Sequence, residues 1–205
     1  MMKMKMKATT LCAGLMVISA TAFAQNIKLP APQKSGGKPL MEALSQRQSM
    51  RDFDTKTLGE QTLSNLLWAA YGFNRDDKRT VPSAMNRQEF EVYAVTEKGA
   101  YRYNAKDNVL EQVSNKDLRA QTGKQGSTAP LNLVYAYDTK KMSDEKLAYG
   151  DCGFISQNVY LYCASEGLAT VVRGGGMNKE ELAKALSLKQ DYAIVFAQTI
   201  GYPKK

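Results

Sequence analysis

From Asp144 to Gly167 the sequence is helix-compatible and apolar on nearly every side of a 3.6-residue turn. A helix of that kind cannot lie on a solvated surface. It must be enclosed by other elements, so the rest of the chain has to supply layers around it. Gly150 and Gly153 lie inside the stretch. They leave two readings open, a core helix or a core helix that also packs closely against a second subunit.

The flanking patterns supply candidate layers. Pro39–Arg47 reads as a short helix opened by proline. Gly59–Tyr71 reads as a second helix, with Leu63, Leu66, Leu67 and Ala70 on one face. Glu89–Thr96 and Leu131–Tyr137 read as strands. Tyr101–Tyr103 and Val109–Val113 flank Asn104–Asn108 and predict a hairpin. Asn115–Gln121 reads as a short helix and Ala169–Val172 as a short strand. Asn178 caps a helix through Leu186, and Tyr192–Ile200 forms the last strand. Irregular alternation with one hairpin predicts an α+β domain, with a mainly antiparallel central sheet covered by helices.

The N-terminus predicts export. Lys3, Lys5 and Lys7 precede an uncharged apolar run that ends in Ala22-Phe23-Ala24. That is the pattern of a secretory signal over 1–24. The run is broken by Thr, Ser and Gly and is short for the ~20 residues that span a bilayer. No stable membrane insertion is expected after its removal. Residues 25–38, rich in Pro, Gly and Lys, predict a tether or surface-wrapping arm, and 39–205 the functional domain. Without the leader, 25 basic and 20 acidic side chains remain, a net +5. That balance suits a small anionic ligand, and no nucleic-acid partner is expected.

Cysteine and histidine usage narrows the chemistry. Cys152 and Cys163 fall in one predicted helix, roughly 16 Å apart along its axis. A disulfide needs Cα atoms within about 7 Å, so two buried free thiols are expected. The chain has no histidine. Ser–His and Cys–His nucleophiles and His-based zinc sites are thereby excluded. No metal site is predicted, and any chemistry must come from carboxylates, Tyr, Lys and Arg or from a cofactor.

Three loops are candidates for holding one. Arg47, Ser49 and Arg51 follow the first helix and would share a side of an extended segment, as a phosphate site requires. Pro82-Ser83-Ala84-Met85-Asn86-Arg87-Gln88 precedes a strand and offers hydroxyl and amide groups suited to a heterocycle edge. Arg173-Gly174-Gly175-Gly176 joins a strand to a helix and allows close backbone approach. Its spacing is not the dinucleotide fingerprint. Taken singly, the three also read as a solvated basic helix end, a Pro–Ser turn and a flexible connection.

In this order the loops resemble the FMN-dependent nitroreductase family over roughly 40–203. The Gly167-Leu168 helix end and the closing Gly201-Tyr202-Pro203 strengthen the likeness. The resemblance implies a nitroreductase-like fold, a domain-swapped homodimer and FMN as cofactor, with sites built from both chains. It assigns Arg47, Ser49 and Arg51 to the phosphate. Pro82, Ser83, Ala84, Asn86 and Gln88 fall to the ring, and Arg173, Gly174 and Gly175 to the neighbourhood of its N5. The activity implied is ping-pong electron transfer between a small-molecule donor and an acceptor of nitro, quinone or azoline type. The Tyr101–Val113 hairpin resembles the azoline-oxidising dehydrogenase branch. Met85 is bulkier than the family's usual small residue, the glycine loop aligns with a one-residue shift, and the leader is unusual for that branch. A secreted flavin-binding module without turnover, or a maturation oxidase or reductase for an exported peptide, are the other functions this sequence admits.

The leader reading has a direct check. Mass spectrometry of the exported protein should find Gln25 at the N-terminus, and recovery of Met1 there would refute it.

Overall fold

A computed structural model describes residues 25–124 and 128–205; the predicted signal segment lies outside the described residues. Nine strands and four α-helices are present among them: β1 Ile27–Lys28, α1 Leu40–Gln46, α2 Glu60–Tyr71, β2 Phe73–Arg75, β3 Lys78–Arg79, β4 Phe90–Thr96, β5 Gly99–Asn104, β6 Val109–Ser114, β7 Leu131–Asp138, α3 Glu145–Glu166, β8 Ala169–Arg173, α4 Lys179–Ala185 and β9 Tyr192–Gly201. Seven strands form one sheet in the order β1-β6-β5-β4-β7-β9-β8, and every neighbouring pair is antiparallel. This is the α+β architecture expected from the sequence. None of the described helices is long and apolar enough to cross a membrane.

The period-2 alternation of β7 shows how the layers form. Leu131, Leu133, Tyr135 and Tyr137 face the cluster containing α2 and α3. Val134 and Ala136 face the opposite side, where α4 contributes Leu182 and Leu186. Both faces of the sheet are therefore covered. Ala148, Cys152, Ile155, Val159 and Cys163 recur at three- and four-residue spacing along α3 and are fully buried in the first cluster. Both cysteines are free, and burial pushes both thiols up, so they are inert packing groups.

The caps fix where α3 begins and ends. The Asp144 side chain accepts the Lys146 backbone N–H at 2.9 Å. Gly167 stops the helix in the left-handed region at φ 68°, where a Cβ would be strained. A buried polar chain then ties the middle of α3 to the sheet. The Tyr135 hydroxyl donates to Gln198 Oε1 at 2.7 Å, and Gln198 Nε2 donates to the Ser156 carbonyl and to Thr170 Oγ1.

Three local features differ from the sequence reading. The 25–38 arm does more than wrap the surface: Ile27 and Lys28 pair with β6 as an edge strand, and Leu29 is buried. Asn115–Gln121 forms no α-helix, and a single 3-10 turn at Arg119–Thr122 takes its place. The unanticipated β2–β3 hairpin turns at Asp76-Asp77 and is held by Arg79, whose guanidinium lies 4.3 Å from the Tyr71 ring and 3.9 Å from the Phe73 ring.

Candidate functional site

The first two candidate loops are attached to α3 directly, and the third lies against Phe196 of β9, which packs on α3. After α1 the chain runs extended, fixed to β8 where Met50 N–H donates to the Thr170 carbonyl at 3.0 Å. Tyr160 of α3 anchors the first loop. Its hydroxyl accepts the Val172 N–H at 3.0 Å and lies 2.9 Å from Ser49 Oγ, while Arg47 sits over its ring at 5.3 Å. Arg47 and Ser49 thus share one side, as the alternation required. Arg51 is exposed and makes no hydrogen bond or ion pair among the described residues. The C-terminus lies alongside, with Lys204 N–H donating to the Asp52 carbonyl at 3.2 Å.

A cleft of about 450 Å³ opens beside this loop, lined by Lys38, Arg47, Gln48, Tyr160, Thr170 and Pro203 among others. Lys38 was not singled out in the sequence, because its role depends on the arm folding back across α3. Its backbone N–H donates to Ser165 Oγ at 2.8 Å. The second and third loops do not line this cleft. One chain alone therefore does not enclose a ligand with all three.

The second loop carries backbone strain. Met85, Asn86 and Gln88 have φ of 54°, 53° and 47°. The left-handed conformation costs each of these non-glycine residues roughly 1–2 kcal/mol. Several anchors hold it. Ala84 N–H donates to Asp151 Oδ2 of α3 at 2.8 Å, and Gln88 N–H donates to Ser83 Oγ at 3.0 Å. Gln88 Oε1 accepts from Arg79 Nε, while Gln88 Nε2 donates to the Asp77 carbonyl and to Asn86 Oδ1. The Gln88 amide is thus largely occupied in holding the loop. Asn86 is exposed and its Nδ2 has no partner among the described residues. Pro82 is exposed, and Ser83 and Ala84 are half-buried. Strain held in place by several contacts is a mark of functional loops.

Directly behind this loop are two buried acids, Glu89 and Asp151. Neither Glu89 carboxyl oxygen has a hydrogen-bond partner. Burial, with the neighbouring Asp151, pushes the Glu89 carboxyl up to about 7. Tyr71 closes the layer beneath, with its hydroxyl accepting the Phe90 N–H, so it is a packing residue.

The third loop divides. Gly174 lies against the Phe196 ring, where a Cβ would come within 3.2 Å, and Gly175 is open, with nothing within 4 Å of such a Cβ. Phe196 packs edge-on against Tyr149 of α3 at 5.3 Å, and Lys179 Nζ reaches the Tyr149 hydroxyl at 3.5 Å. The Arg173 side chain turns away from the loop into the interior. It donates to the Thr122 carbonyl, to Asn132 Oδ1 at 3.0 Å and to Thr199 Oγ1 at 2.6 Å. Ala169 and Val171 of the same strand are buried on its side of β8, so the strand period was the signal for this orientation.

The donor set fits a flavin mononucleotide. A cationic end with a free Arg51 suits a phosphate, an amide-bearing loop suits a polar ring edge, and bare backbone at Gly175 permits close approach. A family model described as Nitroreductase family matches residues 44–202. A Methanocaldococcus jannaschii protein bearing a nitroreductase name is 30% identical, over 74% of this chain and 85% of that protein. A crystal structure named as a nitroreductase from Ralstonia eutropha JMP134 is 38% identical with a TM-score of 0.81, covering 88% of this chain and 90% of that one. A Desulfovibrio desulfuricans structure in complex with FMN is 19% identical with a TM-score of 0.62, covering 83% of this chain and 89% of that one, and so shares the fold.

Arg173 tests the division of the third loop. Arg173→Ala leaves Asn132, Thr199 and Thr122 facing a void and should lower stability in urea by roughly 3 kcal/mol. Unchanged stability would place the guanidinium in a ligand-binding role instead.

Proposed function

The chain belongs to the nitroreductase family of oxidoreductases, and we propose that it works as an exported homodimer that holds FMN between its two chains. Attachment of the first two loops to α3, with the third reaching it through Phe196, carries this reading. Tyr160 holds the first loop and Asp151 the second, and Tyr149 packs on Phe196, against which Gly174 of the third lies. Tyr160 and Asp151 are nine residues apart, which is about 13 Å along a helix. An elongated ligand with a phosphate at one end and a ring at the other suits that separation.

Arg47, Ser49 and Arg51 hold the phosphate, with Lys38 and Lys204 close by. Ser83, Ala84 and Asn86 face the ring, Gln88 keeps their loop in shape, and Gly174 and Gly175 allow close approach. The bound cofactor supplies hydride chemistry in two half-reactions, first with a donor and then with an acceptor of nitro, quinone or azoline type. The protein positions the reactants and sets the local field. The β5–β6 hairpin supports a place near the azoline-oxidising branch, and the 1–24 pattern supports export.

Dimerisation accounts for surface that a single chain leaves bare. The exposed large apolar side chains are Leu40, Met41 and Leu44 on α1, Met85 in the second loop, and Leu147 and Phe154 on α3. Nothing within 4 Å would meet a Cβ at Gly150 or Gly153. Exposed large apolar side chains in this number mark a candidate interaction surface. A second copy placed there would close the site over the ring loop.

Two variants test the proposal. Arg51→Ala removes a charge-assisted hydrogen bond and should raise the FMN dissociation constant roughly 10- to 150-fold, with riboflavin binding nearly unchanged. Equal losses for both ligands would remove Arg51 from the phosphate site. Phe154→Glu places a charge in the proposed interface and should give a monomer in sedimentation at micromolar concentration. A variant that stays dimeric would show that α3 is not the interface.

A further inference from the structure

We propose that Glu89 and Asp151 are positioning residues for the Ser83–Gln88 loop, with a neutral Glu89 carboxyl behind the Asp151 side chain that accepts the Ala84 N–H. The inference rests on the reading of this loop as the flavin-ring contact. Neither acid belongs to the three sequence motifs.

The geometry has three parts. Asp151 reaches the loop from the buried side of α3 and accepts the Ala84 N–H at 2.8 Å. Glu89 lies between the loop and β4, and its backbone is fixed where its carbonyl accepts the Asp138 N–H at 3.0 Å. Its carboxyl is 1% exposed on a whole-residue basis, and both oxygens lack hydrogen-bond partners. An ionised carboxylate in that position would be buried, unpaired and beside a second acid.

The surroundings favour the neutral form of Glu89. Tyr71 faces it from α2, and Asp151 and Cys152 face it from α3. Arg79 of β3 lies one layer further out, over the Tyr71 ring. Lys141, from the connection between β7 and α3, is the cation that opposes the shift. Burial and Asp151 outweigh it, so the Glu89 carboxyl holds its proton well above the usual carboxylate range. The folded chain then binds this proton more tightly than the unfolded chain. Its contribution to order is greatest on the acid side, and it is lost as pH rises through about 7.

Loss of the proton puts two like charges side by side behind a loop whose backbone is already strained at Met85, Asn86 and Gln88. Repulsion between them then works against the Asp151 hydrogen bond to the Ala84 N–H. The consequence reaches the ring contact and leaves the phosphate loop, which is anchored at Tyr160, untouched. FMN and riboflavin should therefore respond alike, unlike their separate responses to Arg51.

The test is a fluorescence-quenching titration of riboflavin against the dimer at a series of pH values between about 5.5 and 8.5. Affinity should fall roughly tenfold across the range, the low end for losing one charge-assisted hydrogen bond. Glu89→Gln should keep the acid-side affinity and flatten the profile. Asp151→Asn should move the inflection toward acid, because the neighbouring charge is gone. A flat wild-type profile, or a Glu89→Gln profile as steep as wild type, overturns the proposal. Infrared spectroscopy of the unaltered protein gives a second readout that needs no variant. A protonated-carboxyl C=O band should be present at mildly acid pH and vanish as pH rises through about 7. Its absence on the acid side also overturns the proposal. If neither FMN nor riboflavin binds at any pH, the cofactor reading fails, and the infrared band alone decides whether Glu89 holds its proton.

Discussion

The structure depends on the seam between α3 and the central strands of the sheet. Ala148, Cys152, Ile155, Val159 and Cys163 form a dry stripe, and the Tyr135–Gln198–Thr170 chain fixes its register through the Ser156 carbonyl. Apolar burial supplies most of the attraction. The polar chain gives it direction, because a slip along the seam would leave buried amide and hydroxyl groups unpaired. With that register set, Asp151 and Tyr160 arrive at fixed heights and engage the second and first loops, while Tyr149 supports Phe196 beneath the third. The candidate site is in this sense a consequence of how one helix lies on one sheet.

Much of this arrangement was legible in the sequence. Asp144 and Gly167 bracket α3 because capping chemistry is local, and Asn178 marks α4 for the same reason, its side chain accepting the Glu181 N–H. Leu131–Tyr137 read as a strand because it is a short, β-prone apolar run. Features that depend on distant partners were not legible. Ile27–Lys28 is a strand only because β6 has a free edge, and the β2–β3 hairpin is too short to show a strand period, being held by Arg79 stacked on the Tyr71 and Phe73 rings.

The site residues divide along the same line. The three loops could be read because their composition is unusual over a few consecutive positions. Tyr160, Glu89, Asp151 and Lys38 could not, since each acts through a segment distant in sequence. Asp151 did leave a trace, as the only charged residue between Lys146 and Glu166. A lone charge in a buried helix must meet a partner, and here the partner is a backbone N–H of the strained loop. The three glycines beside Arg173 drew it into the loop reading, although the β8 period sends its side chain inward.

The central claim is that this chain binds FMN with the three loops, two attached to α3 directly and the third through Phe196. The most direct measurement is reconstitution of the purified protein lacking residues 1–24, followed by absorbance and quantitation of flavin released on denaturation. The account predicts a yellow protein with an oxidised-flavin spectrum, holding FMN in equimolar amount to chain after gel filtration. A folded protein that stays colourless after incubation with excess FMN would contradict it.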